Sequence, residues 1–262
     1  MEKINLKIIT VGSRKVPAGW HISQRAKMQR LYYIKGGTGS MNDGHGGRIP
    51  FEKGKIYIHP YSLIADYRSD PNDPIDHVYF DFLSTPPIIS DTPIIYDLPS
   101  DSTAVSLIRS TEIFCFELQK KEMLHNNITM VTSPLVSDNC TYGQVFCGLL
   151  STLLTTLSLD KRIPFSNDIV VLNALDTIGR DYMKPIAVSD LAADAGFDVH
   201  YFIRRFKRVM GMTPYAYLRS YRLIKAKELI GGGLPLTAVS SCVGYESSAA
   251  LSRALKNDNR RE

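Results

Sequence analysis

The spacing of apolar and polar positions changes character along this chain of 262 residues. Over the first hundred, short runs rich in β-branched and aromatic residues recur between Gly, Pro and Asp clusters, at 7–11, 31–35, 55–59, 63–67, 75–83 and 93–96. Runs of that length and punctuation predict strands of a small antiparallel barrel or sandwich. After residue 100 the period lengthens to that of a helix. Val105, Leu107, Ile108, Ile113, Phe114, Phe116 and Leu118 mark a helix over 103–118, and Val145, Phe146, Leu149, Leu150, Leu153, Leu154 and Leu157 mark another over 142–159. The second set follows i, i+3, i+4, i+7, a stripe that either packs within its own chain or forms a seam between two chains. Residues 161–167 read as a linker and 168–182 as the first helix of an all-α region.

That region contains one pattern twice. Leu191-Ala192, Ala195-Gly196-Phe197, then Phe202, Arg204 and Phe206-Lys207 are echoed by Val239-Ser240, Val243-Gly244-Tyr245, then Leu251, Arg253 and Leu255-Lys256. In each copy a small apolar stretch ends in Gly, which takes the left-handed conformation that closes a helix, and a polar residue opens the next. Asp198 is the expected cap in the first copy and Ser247 or Ser248 in the second. This is a helix-turn-helix signature in tandem. Between the copies Gly211 ends one helix, Thr213 caps the next, Pro214 takes its first position and Gly231-Gly232-Gly233 stops it. A rod of roughly 25 Å follows at about 1.5 Å per residue. It would set the two recognition helices about 34 Å apart, one turn of B-DNA.

Charge is divided in the same way. Residues 180–262 carry 14 Lys+Arg against 8 Asp+Glu, and the rest carry 17 against 18. A basic region of this kind attracts phosphates without regard to sequence. The residues expected at base edges are His200, Ile203 and Arg204 in the first copy, with Arg204 able to form a bidentate pair to guanine O6 and N7. Arg205, Lys207 and Arg208 are expected at phosphates. The matching positions in the second copy are Ser248, Ala249, Ser252 and Arg253.

Other chemistry finds little support. There is no His-x-His pair; His45 lies in a Gly-rich turn, His59 precedes a proline and His77 opens a strand, so separate surface or hydrogen-bonded histidines are expected and no metal. Gly36-Gly37-Thr38-Gly39 lacks the Gly-Lys-[Ser/Thr] ending of a phosphate loop and reads as a hairpin turn. No Gly-x-Ser-x-Gly elbow is present. Asp70 and Asp73 sit in a Pro/Asn loop as turn formers. No cofactor and no catalytic set is therefore expected. Cys115, Cys140, Cys147 and Cys242 have no paired spacing and read as reduced thiols. The apolar stretch 145–157 is too short to span a bilayer and no signal peptide is evident, so the expectation is a cytoplasmic chain away from membranes. Trp20, Tyr33, Tyr57, Tyr67 and Tyr79 offer flat faces that suit a sugar or an aromatic acid, or else simply fill the core.

The C-terminal pattern resembles the AraC-type bacterial transcription regulators. The resemblance rests on Leu191-Ala192 through Lys207, on Gly211-Met212-Thr213-Pro214 with Tyr217-Leu218, on Arg222-Leu223 with Ala226 and Leu229-Ile230, and on Val243-Gly244-Tyr245-Glu246 with Ser252-Arg253. Residues 31–39, 51–60 and 73–82 are similar to the cupin-like sensor barrel of that family. The resemblance implies an α+β multidomain chain: a cupin-like ligand-sensing β-barrel over 1–98, a helical linker and dimerisation segment over 99–163, and a DNA-binding domain over 164–262. It further implies promoter DNA as partner, a carbohydrate or related metabolite as effector, a homodimer and contact with RNA polymerase. One departure stands out: the family's second Gly-x-[Ser/Thr]-Pro-x-x-[Tyr/Phe]-Arg segment has no counterpart after Lys256, and Ala250, Leu251, Ala254 and Leu255 occupy positions that are usually aromatic. The second unit is therefore expected to be incomplete, and the alternative function is a ligand-binding sensor whose DNA reading is impaired.

Overall fold

The computed structural model describes residues 4–25, 28–61, 63–120, 130–132, 141–160 and 163–259. They divide into two units, residues 1–84 with 90–164 and residues 85–89 with 165–262. Lys161 and Arg162 of the expected linker, Cys140 and the final residues 260–262 lie outside the described residues.

The first unit is built on ten described strands: β1 (Asn5–Lys15), β2 (His21–Arg25), β3 (Gln29–Gly36), β4 (Gly39–Asn42), β5 (Arg48–Pro50), β6 (Lys55–His59), β7 (Ile64–Ser69), β8 (Asp76–Thr85), β9 (Ile94–Asp97) and β10 (Met130–Thr132). They form a six-stranded sheet in the order β10-β1-β8-β3-β6-β9 and a four-stranded sheet in the order β2-β7-β4-β5. Tyr32 of β3 stands opposite Tyr79 of β8 and Tyr57 of β6. Directly opposed residues share a face. That face packs against Met41, Ala65 and Tyr67 of the smaller sheet in one core. The expected barrel is thus drawn as two antiparallel sheets around a common interior.

The sequence pattern locates six of the apolar strands but not β2, β4, β5 and β10, which are short, polar or glycine-containing. One expected hairpin is corrected: Gly36 to Gly39 carries the chain from β3 in one sheet to β4 in the other. The glycines there answer to crowding. Gly37 has φ +85°, and a Cβ on it would lie 2.4 Å from the Pro74 carbonyl oxygen.

Two helices, α1 (Thr103–Lys120) and α2 (Thr141–Asp160), pack on each other and on β1 of the larger sheet. Glu112 of α1 accepts hydrogen bonds from Ser13 Oγ at 2.7 Å and Lys35 Nζ at 2.6 Å, tying the helix to β1 and β3. Phe146, Leu150, Leu153, Leu154 and Leu157 are fully buried within this unit. The apolar stripe of α2 is therefore intrachain core rather than a seam through Leu150 and Leu154. At 20 residues α2 exceeds the stretch read from the sequence. By length and composition it reaches the range of a membrane span, yet its apolar side is spent on β1 and α1.

The second unit is helical: α3 (Ile169–Asp181), α4 (Val188–Asp194), α5 (Val199–Met210), α6 (Pro214–Gly231), α7 (Leu236–Cys242) and α8 (Ser248–Asn259). Residues 85–89 join it. Ile88 bridges Phe165, and the Pro87 carbonyl accepts the Ser166 amide at 2.8 Å.

Candidate nucleic-acid interface

The two sequence copies fold into the same local geometry. In the first, α4 ends at Gly196 with φ +72°, and the Phe197 amide donates to the Ala192 carbonyl at 2.9 Å. In the second, α7 ends at Gly244 with φ +72°, and the Tyr245 amide donates to the Ser240 carbonyl at 2.9 Å. This six-to-one closure satisfies carbonyls left over at a helix end and turns the chain sharply. The Asp198 carboxylate accepts the amides of His200 and Tyr201 at 2.9 and 3.1 Å. Those bonds, the one from Tyr201 foremost, hold its carboxyl below the usual range. In the second copy Ser247 Oγ accepts the Ala250 amide at 3.2 Å. The cap is Ser247, while Ser248 is already the first residue of α8.

Between them α6 runs without interruption for 18 residues, about 27 Å. Thr213 caps it through the Ala216 amide at 3.3 Å, and Pro214 costs nothing at a position where no amide is needed. At the far end Gly233, at φ +87°, and the bond from the Leu234 amide to the Leu229 carbonyl close it. The glycine triplet works as the sequence predicts.

The cores behind the two recognition helices differ. Behind α5 the packing is aromatic: Phe202 and Phe206 are fully buried with ring centres 6.1 Å apart, and Tyr217 of α6 lies 5.9 Å from Phe206. Behind α8 the buried cluster is Leu223, Ala226, Val239, Val243, Leu251 and Ala254. Of the small residues read in the second copy, Leu251 and Ala254 are in this core and Leu255 packs against it, while Ala250 is half-buried outside it.

Burying one side of each recognition helix exposes the other. His200, Arg204, Lys207 and Arg208 are exposed on α5, with Ile203 half-buried. On α8, Ala249 and Arg253 are exposed, with Ser248 and Ser252 half-buried and Lys256 exposed one turn on. Arg205 stands apart from this group. Its Nε lies 2.9 Å from Asp168, the cap of α3, and its guanidinium sits 5.5 Å over the Phe197 ring. Burial alone would raise the Asp168 carboxyl, but Arg205 and the Val171 amide hold it below its ordinary value. Arg205 thus fastens α5 to α3 and is not on the free face with its neighbours.

The roles of two further residues escape the sequence reading. Tyr201 is 42% exposed at the front of α5, with its ring 5.0 Å from Phe197. It is an aromatic neighbour to the candidate base readers, and its place two residues before Ile203 is the available signal. Arg222 on α6 donates from Nε to the Tyr182 carbonyl at 2.7 Å and from Nη2 to the Lys184 carbonyl at 2.8 Å. These carbonyls lie at and just beyond the end of α3, so Arg222 anchors that helix to the connecting rod.

Of the aromatic candidates in the first unit, Tyr57, Tyr67 and Tyr79 are buried in the shared core, with Trp20 packed on its margin. Tyr33 is on the opposite face of β3, and Tyr32 occupies the inner place instead. His59 and His77 are buried as well, which corrects their expected place at the surface. Burial lowers their pKa values to about 4 and about 3, leaving both neutral near pH 7.

Comparison with known proteins agrees with this geometry. Residues 191–258 match the family described as a helix-turn-helix domain. A protein of Streptomyces antibioticus described as an AraC-like transcription regulator is 38% identical over 90 residues, which cover 34% of this chain and 30% of that relative. The match therefore spans under a third of the relative's length. The Msm operon regulatory protein of Streptococcus mutans is 19% identical over 270 residues, covering 98% of this chain and 90% of its own. Among solved structures, the apo form of a ToxT variant from Vibrio cholerae superposes with a TM-score of 0.54 at 8% identity, over 97% of this chain and 92% of that one. The likeness to ToxT is one of fold: an antiparallel sheet unit followed by a helical unit. Residues 191–258 form a helix-turn-helix domain.

Proposed function

We propose that this chain is a sequence-specific transcription regulator under small-molecule control. The helical unit reads double-stranded promoter DNA through α5 and α8, and the sheet unit holds the effector. The observation that carries the reading is the pair of matched turns and caps at the two ends of one uninterrupted helix, each presenting an exposed arginine, Arg204 and Arg253. Side chains so placed reach base edges when the helix enters a major groove. Lys207 and Arg208 follow as phosphate contacts. Arg204→Ala should weaken specific binding by roughly 1–3 kcal/mol and relax the preference for the cognate site. Lys207→Ala should weaken all sequences alike and lower the salt slope by about one. Fluorescence anisotropy against promoter and scrambled duplexes separates the two. An unchanged ratio of specific to non-specific binding in Arg204→Ala would remove the assigned base contact.

Small-molecule control draws support from ToxT, whose structure with an unsaturated fatty acid bound has a TM-score of 0.53 and 12% identity to this chain, covering 97% of it and 90% of its own length. A carbohydrate or its derivative is the class implied by the sequence resemblance. A homodimer, engagement of RNA polymerase and a cytoplasmic location complete the reading. The smaller core behind α8 favours a second version, in which the first copy alone binds DNA tightly. A footprint confined to one major groove would select that version.

A further inference from the structure

Each helix-turn-helix copy is joined to the helix before it, and the two joints differ. In the first, Arg205 of α5 crosses the Phe197 ring and ends 2.9 Å from Asp168, the cap of α3. The matching residues of the second copy are Ala254, which follows Arg253 as Arg205 follows Arg204, and Tyr245, which follows Gly244 as Phe197 follows Gly196. The helix before that copy is α6. Alanine cannot reach across to it, and a cleft of about 250 Å³ opens between Arg219 and Arg222 of α6 and Ala254 and Asn257 of α8. Tyr215, Leu218 and Tyr245 complete its wall. A cavity of roughly 150 Å³ already holds a benzene ring, so the space admits a small molecule.

The charges of the two joints differ as well. In the first, the Asp168 carboxylate answers the arginine. In the second, two half-buried guanidiniums stand in the wall, and among the described residues no carboxylate lines the cleft or pairs with either. Arg222 gives Nε and Nη2 to the Tyr182 and Lys184 carbonyls, and Arg219 meets the Tyr245 hydroxyl. Burial lowers the Arg222 guanidinium from its ordinary value, and the groups that oppose the shift are the phenols of Tyr245 and Tyr215 rather than an acid. Taking a charge out of water is costly unless an opposite charge replaces the water. The cleft therefore suits an anion and repels a metal cation, while an uncharged guest leaves both guanidiniums without a counter-charge. Leu218, Ala254 and the two phenol rings match an apolar body on that anion, which a bare phosphate lacks.

We propose that the cleft between α6 and α8 binds a small carboxylate with an apolar body, its oxygens accepting from Arg219 and Asn257, and that the bound acid fastens the second copy as Arg205 fastens the first. Arginine presents N–H groups in a fork that fits a carboxylate, and such charge-assisted bonds are the strong ones. The binding site stands on the cleft alone, whereas its effect on DNA rests on the reading of α8 as a recognition helix.

Calorimetric titration of the full chain with benzoate, benzamide and inorganic phosphate tests this. Benzoate should bind at least tenfold more tightly than the other two, and saturating benzoate should slow amide exchange in α8 severalfold while leaving α5 unchanged. Arg219→Gln should weaken benzoate at least tenfold. Circular dichroism checks that the variant folds; should it not, Asn257→Asp, at an exposed position and nearly the same in shape, should still weaken benzoate at least tenfold by setting a like charge at the cleft. Benzamide or phosphate binding as tightly as benzoate, no heat from benzoate, or benzoate binding that ignores the substitutions overturns the proposal. So does a salt slope for promoter DNA that falls by about one in Arg219→Gln, which assigns the cleft to a phosphate of the duplex instead. Promoter binding by the ligand-free chain is measured alongside: its absence defeats the reading of α5 and α8 as DNA readers and leaves the benzoate result standing.

Discussion

Gly196 and Gly244 share a φ of +72° and occupy the same place in the two helix-turn-helix copies, yet their surroundings are opposites. A Cβ on Gly196 would meet nothing within 4 Å. On Gly244 it would stand 2.8 Å from the Met183 carbonyl oxygen and 2.9 Å from both the Tyr182 carbonyl oxygen and Arg222 Nη2. The first copy is steadied by aromatic bulk behind α5. The second, with a core of Leu, Val and Ala, has its turn pressed against the end of α3 and the arginine that binds there. One backbone motif is thus held by volume in one copy and by close backbone contact in the other, and keeping the turn geometry does not require keeping its support.

The largest expected effect probes the volume. Phe206→Ala should cost about 3–5 kcal/mol and Leu251→Ala about 2–3, because the aromatic leaves the larger cavity. Urea unfolding of both variants measures it, and a Leu251→Ala loss that equals or exceeds that of Phe206→Ala would break the contrast. Next comes the backbone contact. Gly244→Ala combines a left-handed φ with overlap on main-chain oxygens and should cost about 2–3 kcal/mol. Gly196→Ala carries only the conformational penalty, about 1 kcal/mol. Equal melting temperatures for the two would show that the crowding at Gly244 relaxes freely. The smallest effect sharpens the account of the second copy's cap: Ser247→Ala should lose about 1 kcal/mol, and Ser248→Ala no more than a few tenths. A reversal of that order would move the cap to Ser248.

Much of the helical unit is legible in the sequence because its signals are local. Glycine at a helix end, a polar cap shortly after it and proline at a first position act within one turn of chain, and so both copies and α6 can be placed from the residues alone. The role of Arg205 is not legible, since its partner Asp168 lies 37 residues away and only tertiary packing unites them. That of Arg222 is hidden for the same reason: its partners are main-chain carbonyls at 182 and 184, which no side-chain pattern reveals. In the sheet unit, β3 and β8 are buried along most of their length, which removes the alternation that would tell Tyr32 from Tyr33. The strands of the smaller sheet are short and polar, and Gly39 at the start of β4 disguises that strand as part of a turn.

The pairing of Ile88 with Phe165 has a practical consequence. Residues 85–89 belong with the helices although the whole of α1 and α2 intervenes along the chain before residue 165. A polypeptide cut to begin at Phe165 would therefore be missing a piece of its own fold: the buried Ser166 amide would lose the Pro87 oxygen that now receives it, and Phe165 would lose its only bridge partner among the described residues. The helical unit of this protein is not a detachable tail, and an excised fragment would be a different, less complete object than the same residues in the intact chain.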